Sequence, residues 1–324
     1  MEINDGDIFT SNDNMISGLH PADIYDIIPI FWEGELIGWV GTVVMEMEMG
    51  GICTGGIPSL ATERFVEGIR WTAEKTGSND TWFKSCESRI IHNCRNPGIL
   101  LLDRKAALAA DIKVRGEVKA LIEEVGIDYY RKAIRELIEV ERTAQLERVK
   151  RRTVPGKLRT VGVFENYYSD KPVPPHHAID YITFVPFDFM INPDGSYDWD
   201  FDGAGDWGWH PSNTTPSAMA GATCLFLTQT IAYTGHANTG TLLCTRANCP
   251  YDTFVNPSDS FIATGGFLGG ANVLGSLAVG IQSRSFFSRG FVEEVMAASP
   301  SFYCWSLAGK DQKGRSFGMA GGAE

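Results

Sequence analysis

His20 and Asp23 stand three residues apart in the run His20-Pro21-Ala22-Asp23. An imidazole and a carboxylate at that spacing can meet on one divalent ion once the backbone bends between them, and Pro21 favours the bend. The plainer alternative, a loop histidine bonded to a nearby carboxylate, satisfies the same spacing. Two strand-like runs follow at once, Ile24–Trp32 and Glu35–Met45, with Glu33-Gly34 as the hairpin turn between them. The pair therefore sits where a loop enters a sheet. Beyond the hairpin, Gly50, Gly51, Gly55 and Gly56 crowd into Met49–Pro58. Such a loop lets backbone approach a ligand closely or take positive φ, which makes it the candidate substrate loop.

His210 is the candidate for catalysis elsewhere. It lies in the loop Gly203–Asn213, which feeds a helix starting near Thr215-Pro216 with Thr214 or Thr215 as its N-cap. A helix N-terminus can receive an anion, although a packing histidine is the plainer account, as it is for His92. The row Asp198, Asp200 and Asp202 shares one strand face and reads as water-facing rather than as a cation site. Neither Cys86, His92 and Cys94 nor Cys244 and Cys249 has four-ligand zinc spacing. No G-x-G-x-x-G or G-x-x-x-x-G-K-[ST] loop occurs. The pair His176-His177 sits in a proline-rich connection.

Composition narrows the class. The chain has 324 residues, 44% hydrophobic and 21% charged, as a folded core-forming protein does. A net charge of −12 argues against nucleic acid as partner. Seven cysteines, an odd number without paired spacing, read as reduced thiols in a cytoplasmic protein. The acidic start MEINDGDIF does not read as a secretion signal. The apolar stretch Ala218–Tyr233 reads as a core helix and not a membrane span.

The elements that must position these residues are legible in outline. Leu60–Lys75 has helical spacing at Phe65, Ile69 and Ala73, and a short helix closes before Pro97. Leu102–Arg152 reads as an antiparallel helical pair broken at Gly126, with a largely solvated charged face. Strands follow from Lys157, with a turn at Asn192-Pro193-Asp194-Gly195 and Tyr197, Trp199 and Phe201 facing inward. A helix is expected through Phe286–Ala298, and a loop over the glycine-rich tail Gly309–Glu324. The expected fold is α+β, with antiparallel-rich mixed sheets and the helical pair in the middle. Segments 1–101, 102–156 and 157–324 are expected to form one intertwined domain.

At HPADIYDIIPIFWEGELIGWVG, and again at DFDGAGDWGWH and SRSFFSRGFVEEV, the sequence resembles the hydantoinase B/oxoprolinase family, and within it the acetone-carboxylase alpha chains. The resemblance covers nearly the whole chain. It implies a hydantoinase B-like fold, truncated here at both ends, and a multi-subunit ligase. Ketone and bicarbonate would become a 3-oxo acid, with ATP bound by a hydantoinase A-like partner alongside a small subunit. The family pattern holds manganese with the H-x-x-D pair, a histidine on the strand after the hairpin, and an upstream carboxylate. His20 and Asp23 match the pair, while Met45 occupies the histidine position and the upstream carboxylate precedes this chain. A thioether suits a hard ion such as manganese poorly. Glu46 or Glu48 could substitute, although alternation points both away from Met45's face; manganese or zinc is the implied metal. The resemblance leaves two alternatives, a docking subunit with a degenerate site and a cyclic-amide hydrolase of the hydantoinase or oxoprolinase type. This chain alone is expected to be inactive.

Overall fold

The computed structural model describes residues 2–16, 18–55, 61–166, 180–264, 270–294 and 303–323. The chain divides into two compact units, Met1–Tyr130 with Cys304–Gly322, and Arg131–Tyr303 with Ala323–Glu324.

The first unit is built on a five-stranded antiparallel sheet in the order β3-β2-β1-β4-β5, with β1 Ile8–Ser11, β2 Asp23–Trp32, β3 Glu35–Met45, β4 Glu74–Ser78 and β5 Thr81–Trp82. Glu33 and Gly34 both take positive φ, 50° and 85°, as the two-residue turn of a right-twisted hairpin requires. Alternation then divides the sheet. Ile24, Asp26, Ile28 and Ile30 of β2 are buried, whereas Trp39, Val43 and Met45 of β3 are exposed on the opposite face. Helices α1 Lys84–Asn93 and α2 Pro97–Val125 belong to the same unit. Leu108, Ile112 and Val118 of α2 pack on Ile8, Ile28, Ile30 and Val40, each fully buried isoleucine contributing about 2 kcal/mol. A second cluster joins Ala22, Ile24, Met49, Ile69, Trp71, Ile90 and Leu100 and carries the His20 turn on its edge.

Several expectations are corrected here. Of the segment Leu60–Lys75, the described residues 61–75 are not helical beyond a single turn at Arg64–Val66, and β4 begins at Glu74, because the segment is stitched to its neighbours by backbone bonds such as Ile69 N–H to Met49 O at 2.8 Å. The charged faces of the long helices are not all solvated: Arg104 and Asp111 of α2 are buried, as are Glu141 and Gln145 of α3 Ile127–Arg152, while Leu102, Leu121 and Leu137 are exposed. The helices do break at Gly126, φ 84°, but the boundary between the units falls inside α3. The tail forms a hairpin, β10 Tyr303–Lys310 and β11 Ser316–Ala323, turned by Asp311, whose carboxylate accepts the Lys313 and Arg315 N–H groups.

The second unit holds β6 Gly156–Asn166, β7 Tyr181–Ile191, β8 Tyr197–Asp200 and β9 Thr245–Asn248 in that order; β6 to β8 are antiparallel and β9 runs parallel to β8. The turn read at Asn192–Gly195 closes with Gly195 N–H to Asn192 O at 2.9 Å. Tyr197, Trp199 and Phe201 are buried against Phe187 and Phe189. Helix α4 spans Pro216–Thr230, with the Thr215 hydroxyl capping Ala218 N–H, before the short α5 Thr239–Leu242. Helix α6 spans Gly270–Arg289 and stops before Gly290, φ 98°, so the helix read through Phe286–Ala298 is interrupted there, and residues 295–298 lie outside the described residues. His176, His177 and most of the GGFLGG run lie outside the described residues.

Candidate functional site

Asp23 N–H donates to His20 O at 3.1 Å, closing the four residues His20–Asp23 into a β-turn with Pro21 in second place. The turn brings His20 Nε2 to 3.9 Å from Asp23 Oδ1. The other carboxylate oxygen accepts Leu19 N–H at 3.3 Å. His20 is 2% exposed. Burial lowers its pKa against the opposing pull of the Asp23 charge, which favours the neutral imidazole at pH 7. Tyr25 stands on the same strand face as Asp23, and its phenol is raised by burial and then by that carboxylate.

Met45 is the register partner of Asp23 across the β2–β3 ladder and is 49% exposed. The next residue, Glu46, continues the ladder through its N–H to Ala22 O at 2.8 Å and turns its side chain to the buried face. There it lies 3.5 Å from Arg104 and beside Asp103, and burial followed by the Asp103 charge pushes it up to about 8. Glu48 is also spent elsewhere: it accepts Gly50 N–H at 2.5 Å, Gly55 N–H at 2.9 Å and Arg95 Nη1 at 2.8 Å. Neither glutamate is brought to the His20–Asp23 pair. Among the described residues, no group of three His, Cys, Asp or Glu side chains is arranged to hold an ion. A neutral imidazole and a carboxylate suit a divalent ion and a thioether does not. The described residues thus fit part of a metal site and do not complete one.

The glycine loop is pinned rather than open. Arg95 donates to Gly51 O at 2.7 Å and Cys53 O at 3.1 Å, and Ile52 N–H reaches Val66 O at 3.1 Å. A Cβ on Gly51 would lie 2.5 Å from Val66 O, and one on Gly50 would collide with Asn93 O. Close backbone packing accounts for these two glycines; Gly56 lies outside the described residues.

His210 belongs to the second unit. It is buried, its Nδ1 accepts Ser212 N–H at 3.1 Å, and its ring meets Phe164 edge-on at 6.1 Å. The acceptor role at Nδ1 puts the neutral ring's proton on Nε2. Asn213 fastens the loop, accepting Gly208 N–H at 3.1 Å and donating to Gly208 O and His210 O, both at 2.7 Å. These contacts hold the His210 ring in its loop. His92 is exposed at the end of α1, and the Cys86 and Cys94 thiols donate to Thr76 O and Glu48 O.

Sequence reasoning missed the polar residues that brace the turn. Asn12 and Asp13, both buried, precede it by fewer than a dozen residues. Asp13 pairs with Arg64 at 2.8 Å and Arg70 at 3.1 Å, and Arg70 also pairs with Glu67 at 2.5 Å. Beneath the sheet, Arg104 pairs with Asp26, which accepts the Thr10 hydroxyl at 2.7 Å. The run of polar residues Ser11–Asn14 beside an apolar strand was the available signal.

Comparison with known proteins follows the same lines. A family profile described as Hydantoinase B/oxoprolinase matches residues 1–323. The acetone carboxylase alpha subunit of Xanthobacter autotrophicus is 34% identical over 313 residues, 95% of this chain and 40% of its own length. The acetophenone carboxylase delta subunit of Aromatoleum aromaticum is 31% identical over 161 residues, 49% of this chain and 23% of its own. A nucleotide-free acetone carboxylase structure superposes with a TM-score of 0.92 at 32% identity, covering 98% of this chain and 42% of that one. The ATP-dependent caprolactamase of Pseudomonas jessenii shares the fold, with a TM-score of 0.76 at 18% identity, over 98% of this chain and 52% of that one. The chain spans less than half the length of the two carboxylase subunits.

Proposed function

Because the chain belongs to the hydantoinase B/oxoprolinase family across residues 1–323, we propose that it contributes the carboxylation site of an ATP-dependent ketone carboxylase complex. The substrates are a small ketone and bicarbonate, and the product is a 3-oxo acid. ATP is handled by a hydantoinase A-like partner, alongside a small subunit. One observation carries the reading: 34% identity to an acetone carboxylase alpha subunit extends over 95% of this chain. The likeness to cyclic-amide hydrolases is weaker, 24% to the 5-oxoprolinase 1 of Arabidopsis thaliana and 24% to the 5-oxoprolinase of Dictyostelium discoideum, which sets the cyclic-amide reading behind.

In this reading His20 and Asp23 form the working pair. The turn holds a neutral imidazole against a carboxylate at the edge of a rigid sheet, so His20 can take or return a proton or hold a cation while Asp23 orients it. Where a divalent cation binds, manganese or zinc, these are the residues of this chain that hold it, and it would supply polarisation of a substrate oxygen. The glycine loop 50–55 contributes as a rigid border fixed by Glu48 and Arg95. A second reading, a docking subunit whose site is a relic, is favoured by one observation: Glu46 and Glu48 are both committed elsewhere.

The assembled complex separates the two. Fixation of labelled bicarbonate into acid-stable product, dependent on ATP and acetone, is measured with the parent chain and with His20→Ala combined with Asp23→Ala. Loss of fixation in an intact complex is the expected result. Undiminished fixation leaves the docking role.

A further inference from the structure

Asn12 is fully buried just after β1 and spends its entire side chain on backbone around the His20 turn. Its Nδ2 donates to Pro21 O at 2.6 Å and to Ile69 O at 2.8 Å, and its Oδ1 accepts Trp71 N–H at 2.6 Å. Its own N–H adds a bond to Trp71 O at 3.0 Å. One asparagine thus ties the turn to the Ile69–Trp71 segment, using both donors and the acceptor of its amide.

Pro21 O is the acceptor that matters. It belongs to the central peptide of the turn, between the residue that starts it, His20, and the one that ends it, Asp23. The two common turns with proline in second place differ by a flip of that peptide, and the flipped form needs positive φ at the third residue. Ala22 does not have positive φ, so the unflipped peptide is the one present, with its carbonyl held by Asn12. Held in that orientation, the peptide fixes the turn that His20 begins and Asp23 ends, across which Nε2 and Oδ1 stand 3.9 Å apart. We propose that Asn12 is a positioning residue: it pins the Pro21–Ala22 peptide and thereby sets the approach of His20 to Asp23. This deepens the reading of that pair as the functional site and rests on it.

Asn12→Asp is the discriminating variant, nearly isosteric but without the two donors, and it sets a carboxylate oxygen against Pro21 O or Ile69 O. Native-state hydrogen exchange is followed in the full chain. The Asp23 amide, which closes the turn, is expected to exchange about tenfold faster or more, with the β2–β3 ladder beyond Ile28 unchanged. Uniform acceleration, as a merely structural role produces, or no acceleration overturns the proposal. A second arm titrates manganese(II) into parent, Asn12→Asp and Asp23→Asn chains by water-proton relaxation. Weaker binding in both variants supports the proposal, while loss in Asp23→Asn with parent-like binding in Asn12→Asp overturns it. Parent-like binding in Asp23→Asn sinks the cation reading of the pair, and the exchange result still decides the positioning. If Asn12→Asp does not fold, the parent chain decides: slowly exchanging Asn12 side-chain amide protons support the bonds to Pro21 and Ile69, and exchange as fast as that of an exposed asparagine refutes them.

Discussion

Met45 stands directly opposite Asp23 in the β2–β3 ladder, so the two side chains share the open face of the sheet. Cross-strand partners hold their Cβ atoms about 5 Å apart, close enough for both to reach one ion. Met45→His therefore adds an imidazole where a thioether now stands. Manganese(II) affinity is expected to tighten about tenfold, about 1.4 kcal/mol, with metal content measured by inductively coupled plasma mass spectrometry. Metal content no higher than that of the parent chain refutes the shared-ion geometry.

Glu48 holds the glycine loop through two amides and Arg95. Glu48→Ala leaves Arg95 without its carboxylate partner and two loop amides without their acceptor. A loss of about 3 kcal/mol is expected, together with faster proteolytic nicking between residues 50 and 55. Chemical denaturation and limited proteolysis read both; an unchanged midpoint and nicking rate would show that the loop is held by something else.

Two glycines with similar φ separate strain from collision. Gly34 has φ 85° and nothing near its missing Cβ, whereas Gly51 has φ 76° and Val66 O at 2.5 Å from that position. Gly34→Ala is expected to cost about 1 kcal/mol, and Gly51→Ala clearly more, about 3 kcal/mol or above. Equal costs in thermal unfolding contradict the close packing of the loop.

Glu46 makes stability pH-dependent. Burial and then Asp103 raise it from 4.5 to about 8, so the folded chain keeps a proton that the unfolded chain releases above 4.5. Stability from this group is complete below 4.5 and falls as pH rises towards 8, by at most about 1.4 kcal/mol per pH unit. Glu46→Gln keeps the shape without the charge and is expected to flatten the decline of melting temperature between pH 5 and 8. Parallel declines in the two proteins count against a proton on Glu46.

Much of the fold was legible because local chemistry wrote it. Glu33-Gly34 and Asn192–Gly195 turn where their residue types demand it, Gly126 breaks the long helices, and the alternation of Tyr197, Trp199 and Phe201 assigns the inner face of β8. The same is true of the His20–Asp23 pair, since proline in second place and a spacing of three suffice for the turn. Periodicity failed in α2 and α3, where Arg104, Asp111, Glu141 and Gln145 are buried. Their polar groups are met by Asp26, Thr42, Arg148 and Thr241, partners far away along the chain for all but Arg148. Only the tertiary structure supplies such partners.

What the sequence determined by itself was which side chains can do chemistry and which of them share a turn or a strand face, because those relations depend on separations of two to four residues. Tertiary structure decided which carboxylates are available. Glu46 and Glu48 follow Met45 along the chain, yet one turns beneath the sheet to Arg104 and the other is taken by loop amides and Arg95. Glu48 goes where donors compensate its desolvation, while Glu46, without such compensation, keeps a proton; the groups that meet them, Arg95 and Arg104, come from a loop and a helix about fifty residues away, beyond the reach of any local pattern.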